Sequence, residues 1–167
     1  MRFAYADPPY LGSAKKLYGK HHAQAADFDN VETHIRLIDG LSRVFPDGWA
    51  LSMASTNLRK LLHHCPEDVR VGGWFKPFAV FKPNVNPAYA WEPVIYRGGR
   101  KRGRDMPTLR DWITVNITLK KGLTGAKPPE FNKWVIEFLN ARPGEDEMVD
   151  LFPGTGSMSE AWANYVL

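Results

Sequence analysis

Apolar positions along the chain alternate between strand-like runs and helix-like spacing. The run Arg2-Phe-Ala-Tyr-Ala6 predicts a buried strand over residues 3 to 6. Residues 11 to 30 are polar, rich in Gly, Lys, His and Ala, and weakly periodic; they predict a mobile loop. From Val31 to Phe45, Ile35, Leu37, Ile38, Leu41 and Val44 fall at helical spacing, and Pro46-Asp-Gly48 predicts a turn. Trp49-Ala-Leu-Ser-Met53 predicts a second buried strand, and Thr56 a capped helix through Leu62. Residues 69 to 74, 78 to 81 and 91 to 96 are strand-like, with Pro93 marking the last as an edge strand or delaying its start. Residues 98 to 125 are the least regular, with one strand-like segment from Trp112 to Ile117. Phe131, Trp134, Val135, Phe138 and Leu139 share one helical face, and Pro128 and Pro129 suit its start. A strand from Met148 and a helix from Met158 follow. The alternation predicts an α/β fold, a sheet with helices on both faces.

Length adds one constraint: 167 residues suit a single domain with a real core, spanning 1–167. The single cysteine, Cys65, excludes an internal disulfide and is compatible with a reducing compartment. With no signal peptide or long apolar span, a soluble cytoplasmic protein without membrane contact is expected. The net charge of +4 is modest, but its distribution is uneven. Arg97-Gly-Gly-Arg-Lys-Arg-Gly-Arg104 holds five basic residues in eight, and Lys120-Lys121 follow. Such a cluster is either a solvated loop or a track for a phosphate backbone. Histidines at His21-His22, His34 and His63-His64 lack metal-ligand spacing, so no metal is expected.

Two motifs carry chemistry. Asp7-Pro8-Pro9-Tyr10 closes the first strand. Asp-Pro-Pro alone could be a turn. It also suits attack by an amine conjugated to an aromatic ring, whose lone pair is delocalised. Acceptors on its protons, here Asp7 and a backbone carbonyl, pull the nitrogen toward tetrahedral geometry. Prolines lack N–H and have fixed φ, so they aim carbonyls rigidly. Tyr10 offers a face on which an extruded base stacks. The second motif, Met148-Val-Asp-Leu-Phe-Pro-Gly-Thr-Gly-Ser157, is a strand, an acidic residue and a glycine turn. Gly154 and Gly156 allow positive φ and close ligand approach. The third glycine of a dinucleotide fingerprint is absent.

Together the two motifs resemble the S-adenosyl-L-methionine-dependent amino-methyltransferases that act on adenine N6 or cytosine N4. Catalytic box first and cofactor box last is similar to the family's permuted, β-type arrangement. The resemblance implies a Rossmann-like sheet, permuted and shortened after the cofactor motif. It implies catalytic roles for Asp7, Pro8, Pro9 and Tyr10, and a cofactor site from Asp7, Asp150, Phe152, Gly154 and Gly156. Lys127, in a Lys-Pro before a helix, is expected on the cofactor carboxylate. Tyr at the box's fourth position favours adenine, so DNA adenine-N6 methylation is the expected activity. Cytosine-N4 or RNA-adenine methylation, and a non-catalytic nucleic-acid-binding subunit, are the alternatives.

In this family a further strand beyond the cofactor box supplies an acidic residue for the ribose. Here Leu167 lies one short helix past Gly156. Asn164 is therefore expected near the cofactor, with a homodimer or partner subunit completing the site. Arg97, Arg100, Lys101, Arg102 and Arg104 are expected to contact DNA, or RNA, with a short target-recognition insert over about 98–125. Trp74, Trp91 and Tyr96 are candidates either for sandwiching the base or for the core. Cys65 lacks the Pro-Cys context of a cytosine-C5 nucleophile.

Overall fold

The computed structural model describes residues 1–20, 23–78, 83–118 and 126–166. Six strands form one sheet: β1 (Arg2–Ala6), β2 (Gly48–Ser52), β3 (Arg70–Phe75), β4 (Trp91–Gly98), β5 (Trp112–Thr114) and β6 (Glu147–Asp150), in the order β5-β3-β4-β2-β1-β6. β1 is parallel to both β2 and β6, and β4 is antiparallel to β2 and β3. First and last strands are thus neighbours, with Tyr5 opposite Asp150. That pairing brings motifs some 140 residues apart in sequence to one edge of the sheet.

Strand alternation divides the core in two. Phe3 and Tyr5 of β1 face a cluster with Trp74, Val94, Tyr96 and the buried face of α4 (Pro129–Leu139), joined by Met158 of α5 (Ser157–Ala163). Ala4 and Ala6 face the opposite cluster, with Trp49, Leu51, Ile95, and Ile38 and Leu41 of α2 (Val31–Val44). Helices therefore cover both faces, as the alternation predicts. Asn30 caps α2 through its side chain, which accepts from Glu32 N at 3.0 Å. Pro129 opens α4 and Asn140, at φ 47°, ends it.

Four expectations need correction. Residues 11 to 30 are not an irregular loop: α1 (Ala14–Tyr18) and a 3₁₀ turn (Ala23–Asp29) occupy them. The Asp29 carboxylate accepts from Gly12 N, Ala14 N and Lys15 N, satisfying donors that would otherwise be orphaned at the start of α1. His21 and His22 lie outside the described residues. Thr56 caps nothing through its side chain; Ser55–Asn57 is a 3₁₀ turn leading into α3 (Leu58–Leu61). Pro93 sits in an interior strand, because its missing N–H falls where β2 has ended and Met53 N donates to the Pro93 carbonyl at 3.2 Å. The predicted strand at 112 to 117 stops at Thr114. Of the strand expected over 78 to 81, Phe78 lies in a bend and the rest falls outside the described residues. Among the described residues no helix is long and apolar enough to cross a membrane.

Phe131 is 1% exposed and packs against Tyr5, Trp74 and Trp134 at ring separations of 6.2, 5.1 and 5.8 Å. Phe131→Ala is expected to lower stability by about 3–5 kcal/mol, measured by urea unfolding.

Candidate active site

Asp7 follows β1 at its carboxyl end, the edge where ligands bind in open α/β sheets. Because β4 runs antiparallel, its first residues, Trp91 and Glu92, arrive at this same edge. Lys76 follows β3, and Lys127 immediately precedes the Pro128 cap of α4. Four charged side chains from four segments therefore meet. Lys127 Nζ lies 3.1 Å from Asp7 Oδ1 and 3.1 Å from Glu92 Oε2, and donates to Tyr10 Oη at 2.8 Å. Tyr10 Oη lies 2.7 Å from Glu92 Oε2 and 3.1 Å from Asp7 Oδ1. Lys76 Nζ lies 2.8 Å from Glu92 Oε1. The Lys127 ammonium also faces the rings of Tyr10, Trp74 and Phe131 at 5.3, 5.4 and 5.8 Å.

Burial pushes the Asp7 carboxyl above its usual range; Lys127 opposes the rise and Glu92 adds to it. Burial also works to raise Glu92, but Lys127 and Lys76 overcome it and hold Glu92 at about 2. For Lys127, burial would favour the neutral amine; Asp7 and Glu92 win and raise its pKa. Burial raises Tyr10 well above the usual phenol range, with Asp7 and Glu92 adding to it. The cluster is thus a charge-balanced network in which Asp7 is the carboxylate closest to titrating.

β6 delivers Asp150 beside it. Burial raises the Asp150 carboxyl, its Oδ1 accepts from Phe152 N at 3.2 Å, and the Asp7 charge contributes to the rise. Gly154 and Gly156 adopt φ of 46° and 77°. A Cβ on Gly156 would meet nothing within 4 Å, and one on Gly154 only the Phe152 carbonyl at 3.7 Å. The turn therefore faces open space, and these residues fit a ligand that approaches the backbone closely.

The expected site residues divide clearly. Asp7, Pro8, Pro9, Tyr10, Lys127, Asp150, Phe152, Gly154 and Gly156 share one sheet edge. Pro8 is buried, and no described N–H binds its carbonyl. Phe152 is partly committed to packing, edge-on to Phe28 at 5.4 Å. Lys127 is not aimed at open space: its donors are taken by Asp7, Glu92 and Tyr10, because two buried carboxylates attract the nearest cation. Asn164 is exposed, ends α5, and donates to the Glu160 carbonyl at 2.9 Å. Trp74 and Tyr96 are core, whereas Trp91 stacks on Phe75 at 6.1 Å.

The basic segment is not beside Asp7. It leaves the far end of β4, where Gly98 pairs with Gly48 at the start of β2, roughly a 17 Å strand length away. Arg97 pairs with Asp68 at 2.7 Å, and Arg100 with Asp146 at 2.6 Å. Arg102 donates to the carbonyls of Glu137 and Pro107. The Glu137 carbonyl lies in the last turn of α4 and also accepts from Asn140 N. Of the five, only the Lys101 and Arg104 side chains are exposed without a polar partner among the described residues. Lys120 and Lys121 lie outside the described residues.

Sequence reasoning missed Glu92 and Lys76 as site residues. The available signal was a carboxylate inside a strand-like run, Trp91-Glu-Pro-Val-Ile-Tyr96, where burial demands a counter-ion. Cys65 is half-buried, and burial pushes its thiol up to about 11, an inert state. Among the described residues no group of three His, Cys, Asp or Glu side chains could hold a metal ion.

No family model and no curated protein matches the chain. Solved structures do match in fold. One is M1.HpyAVI in complex with SAM, at 15% identity and a TM-score of 0.60, covering 98% of this chain and 77% of that one. Another structure of M1.HpyAVI matches at 16% identity and a TM-score of 0.57, covering 97% and 75%. At this identity the likeness is one of fold: a Rossmann-like mixed sheet with helices on both faces.

Lys127→Met would leave two carboxylates sharing a site without their central cation. A loss of about 3 kcal/mol in urea unfolding at neutral pH is expected. The loss narrows on acidification. Glu92, depressed in the fold, gives stability above its unfolded pKa that is lost as pH falls through about 2. Asp7, raised, relieves its repulsion by taking up a proton first.

Proposed function

We propose that this chain is an S-adenosyl-L-methionine-dependent methyltransferase acting on the exocyclic amine of a nucleobase, with adenine N6 in DNA as its target. The observation that carries the reading is Asp7. Both of its polar contacts fall on Oδ1, and Oδ2 has no partner among the described residues. Its side chain is 20% exposed, so an incoming amine can reach it. The Pro8 carbonyl, also without a described donor, serves as the second acceptor in this reading.

Asp7 Oδ2 and the Pro8 carbonyl accept from the amine's two N–H groups and draw electron density onto the nitrogen. When bound, the cofactor supplies a methyl group, the nitrogen pair forming the N–C bond as the S–C bond breaks with its electrons kept by sulfur. The surplus proton on the nitrogen leaves to water, and no covalent enzyme intermediate is needed. Tyr10 is anchored through its hydroxyl, which fixes the ring plane on which the extruded base stacks. Asp150, Phe152, Gly154 and Gly156 shape the cofactor pocket. The matching fold of M1.HpyAVI, solved with SAM, supports the choice of cofactor. Positioning and preorganised dipoles supply most of the rate. β6 is the outermost strand beside the cofactor turn, so a second protomer or partner subunit pairing there would extend the sheet and complete the pocket. Lys101 and Arg104 take over the phosphate contacts assigned to the whole basic cluster, reaching the flanks of the nucleic acid from the far edge.

Asp7→Ala is expected to abolish transfer of labelled methyl groups to DNA, while far-ultraviolet circular dichroism stays that of the wild type. Wild-type transfer should fall as pH drops through an Asp7 pKa above the ordinary carboxylate range, because the neutral carboxyl is a much weaker acceptor than the carboxylate. Retained transfer by a purified Asp7→Ala protein contradicts the assignment. Replacing Lys101 and Arg104 with Glu should weaken DNA binding and reduce its salt slope by about two, read by fluorescence anisotropy.

A further inference from the structure

The contacts that hold the Asp7 box converge on a residue outside it. Glu92 Oε2 meets Tyr10 Oη at 2.7 Å and Lys127 Nζ at 3.1 Å, while Lys76 holds Oε1 at 2.8 Å. A tyrosine hydroxyl has one proton to give. The shorter contact assigns it to Glu92 rather than to Asp7, which lies 3.1 Å away. Lys127 is likewise shared, at 3.1 Å from each carboxylate. Without Glu92, both donors would turn to Asp7 alone and form a tight pair that weakens the carboxylate as an acceptor.

We propose that Glu92 is the positioning residue for Asp7: by taking the Tyr10 proton and half the charge of Lys127, it leaves Asp7 Oδ2 unengaged and fully basic toward the target amine. This rests on the reading of Asp7 as the amine acceptor. Lys76 is the outer clamp that keeps Glu92 in place. The groups that face Asp7 come from every neighbouring element. They are Lys127 before α4, Tyr10 in its own loop, Glu92 of β4, Tyr5 of β1, Asp150 of β6 and Tyr18 of α1. Of these only Glu92 has both ammonium groups within ion-pair distance, so it stays charged where Asp7 titrates.

Glu92→Gln keeps the shape and an acceptor oxygen but removes the charge. The carbon-13 carboxyl signal of Asp7, assigned by its loss in Asp7→Asn, is titrated in the free protein. In Glu92→Gln its midpoint should fall by about one pH unit, since a negative neighbour is lost and Lys127 turns wholly to Asp7. The acid limb of kcat/KM for methyl transfer should move down with it, and kcat should drop roughly tenfold or more, with cofactor affinity unchanged. Lys76→Met, which leaves the Glu92 charge less compensated, should move the same midpoint upward. A neighbour that acted through its charge alone would move the midpoint but leave kcat above the acid limb unchanged, and that result overturns the positioning role. An Asp7 midpoint that stays put in both variants, in an enzyme that transfers methyl groups, overturns the role of Glu92 alone. A wild type that transfers no methyl group overturns the reading of the site itself.

Discussion

Everything at the candidate site depends on one ammonium group placed between two carboxylates. Asp7 and Glu92 arrive on strands that run in opposite directions, and each would be costly to bury as an isolated charge. Lys127, 3.1 Å from both, makes their burial tolerable. A position just before Pro128 holds it there, because proline fixes the entry into α4 while Phe131 and Trp74 wall the ammonium in. Breaking-even energetics of this kind contribute little to stability, but they specify geometry. The geometry specified here is one carboxylate oxygen engaged and the other presented.

The sheet topology explains why the site lies where it does. The first and last strands are parallel neighbours, so the Asp7 box and the glycine turn leave the same edge. The reversed strand β4 does the opposite: it starts at that edge with Glu92 and ends at the far one with the arginine-rich segment. One antiparallel strand thus separates the Asp7–Glu92 cluster from the arginine-rich segment. Arg97, Arg100 and Arg102 serve the fold at that distant edge, and Arg100 with the amino terminus neutralises the buried Asp146 side chain.

Local physics was legible in the sequence, and long-range pairing was not. Helices α2 and α4 follow from Ile38, Leu41, Phe131, Val135 and Leu139 at one face, with Pro129 at the start of α4. Asp7 and the positive-φ glycines Gly154 and Gly156 were legible because turn and strand chemistry is local. Glu92 was not, since its value comes from Lys76 and Lys127, residues that only the β3–β4 pairing and the α4 cap bring near it. The Lys127 contacts with Asp7 and Glu92 were not legible, because no local pattern reveals two carboxylates waiting across the edge. Pro93 misled for a similar reason: whether a missing N–H matters depends on where the neighbouring strand stops.

A cluster that presents Asp7 to a nucleobase amine, as proposed, leaves a chemical signature on the base. Mass spectrometry of nucleosides tests it most directly, using DNA and RNA incubated separately with the protein and methyl-labelled S-adenosylmethionine, then digested. Labelled N6-methyldeoxyadenosine is expected from the DNA sample, with the label on the exocyclic nitrogen. A folded, cofactor-binding protein that labels no nucleoside, or labels only a ring carbon, would contradict it.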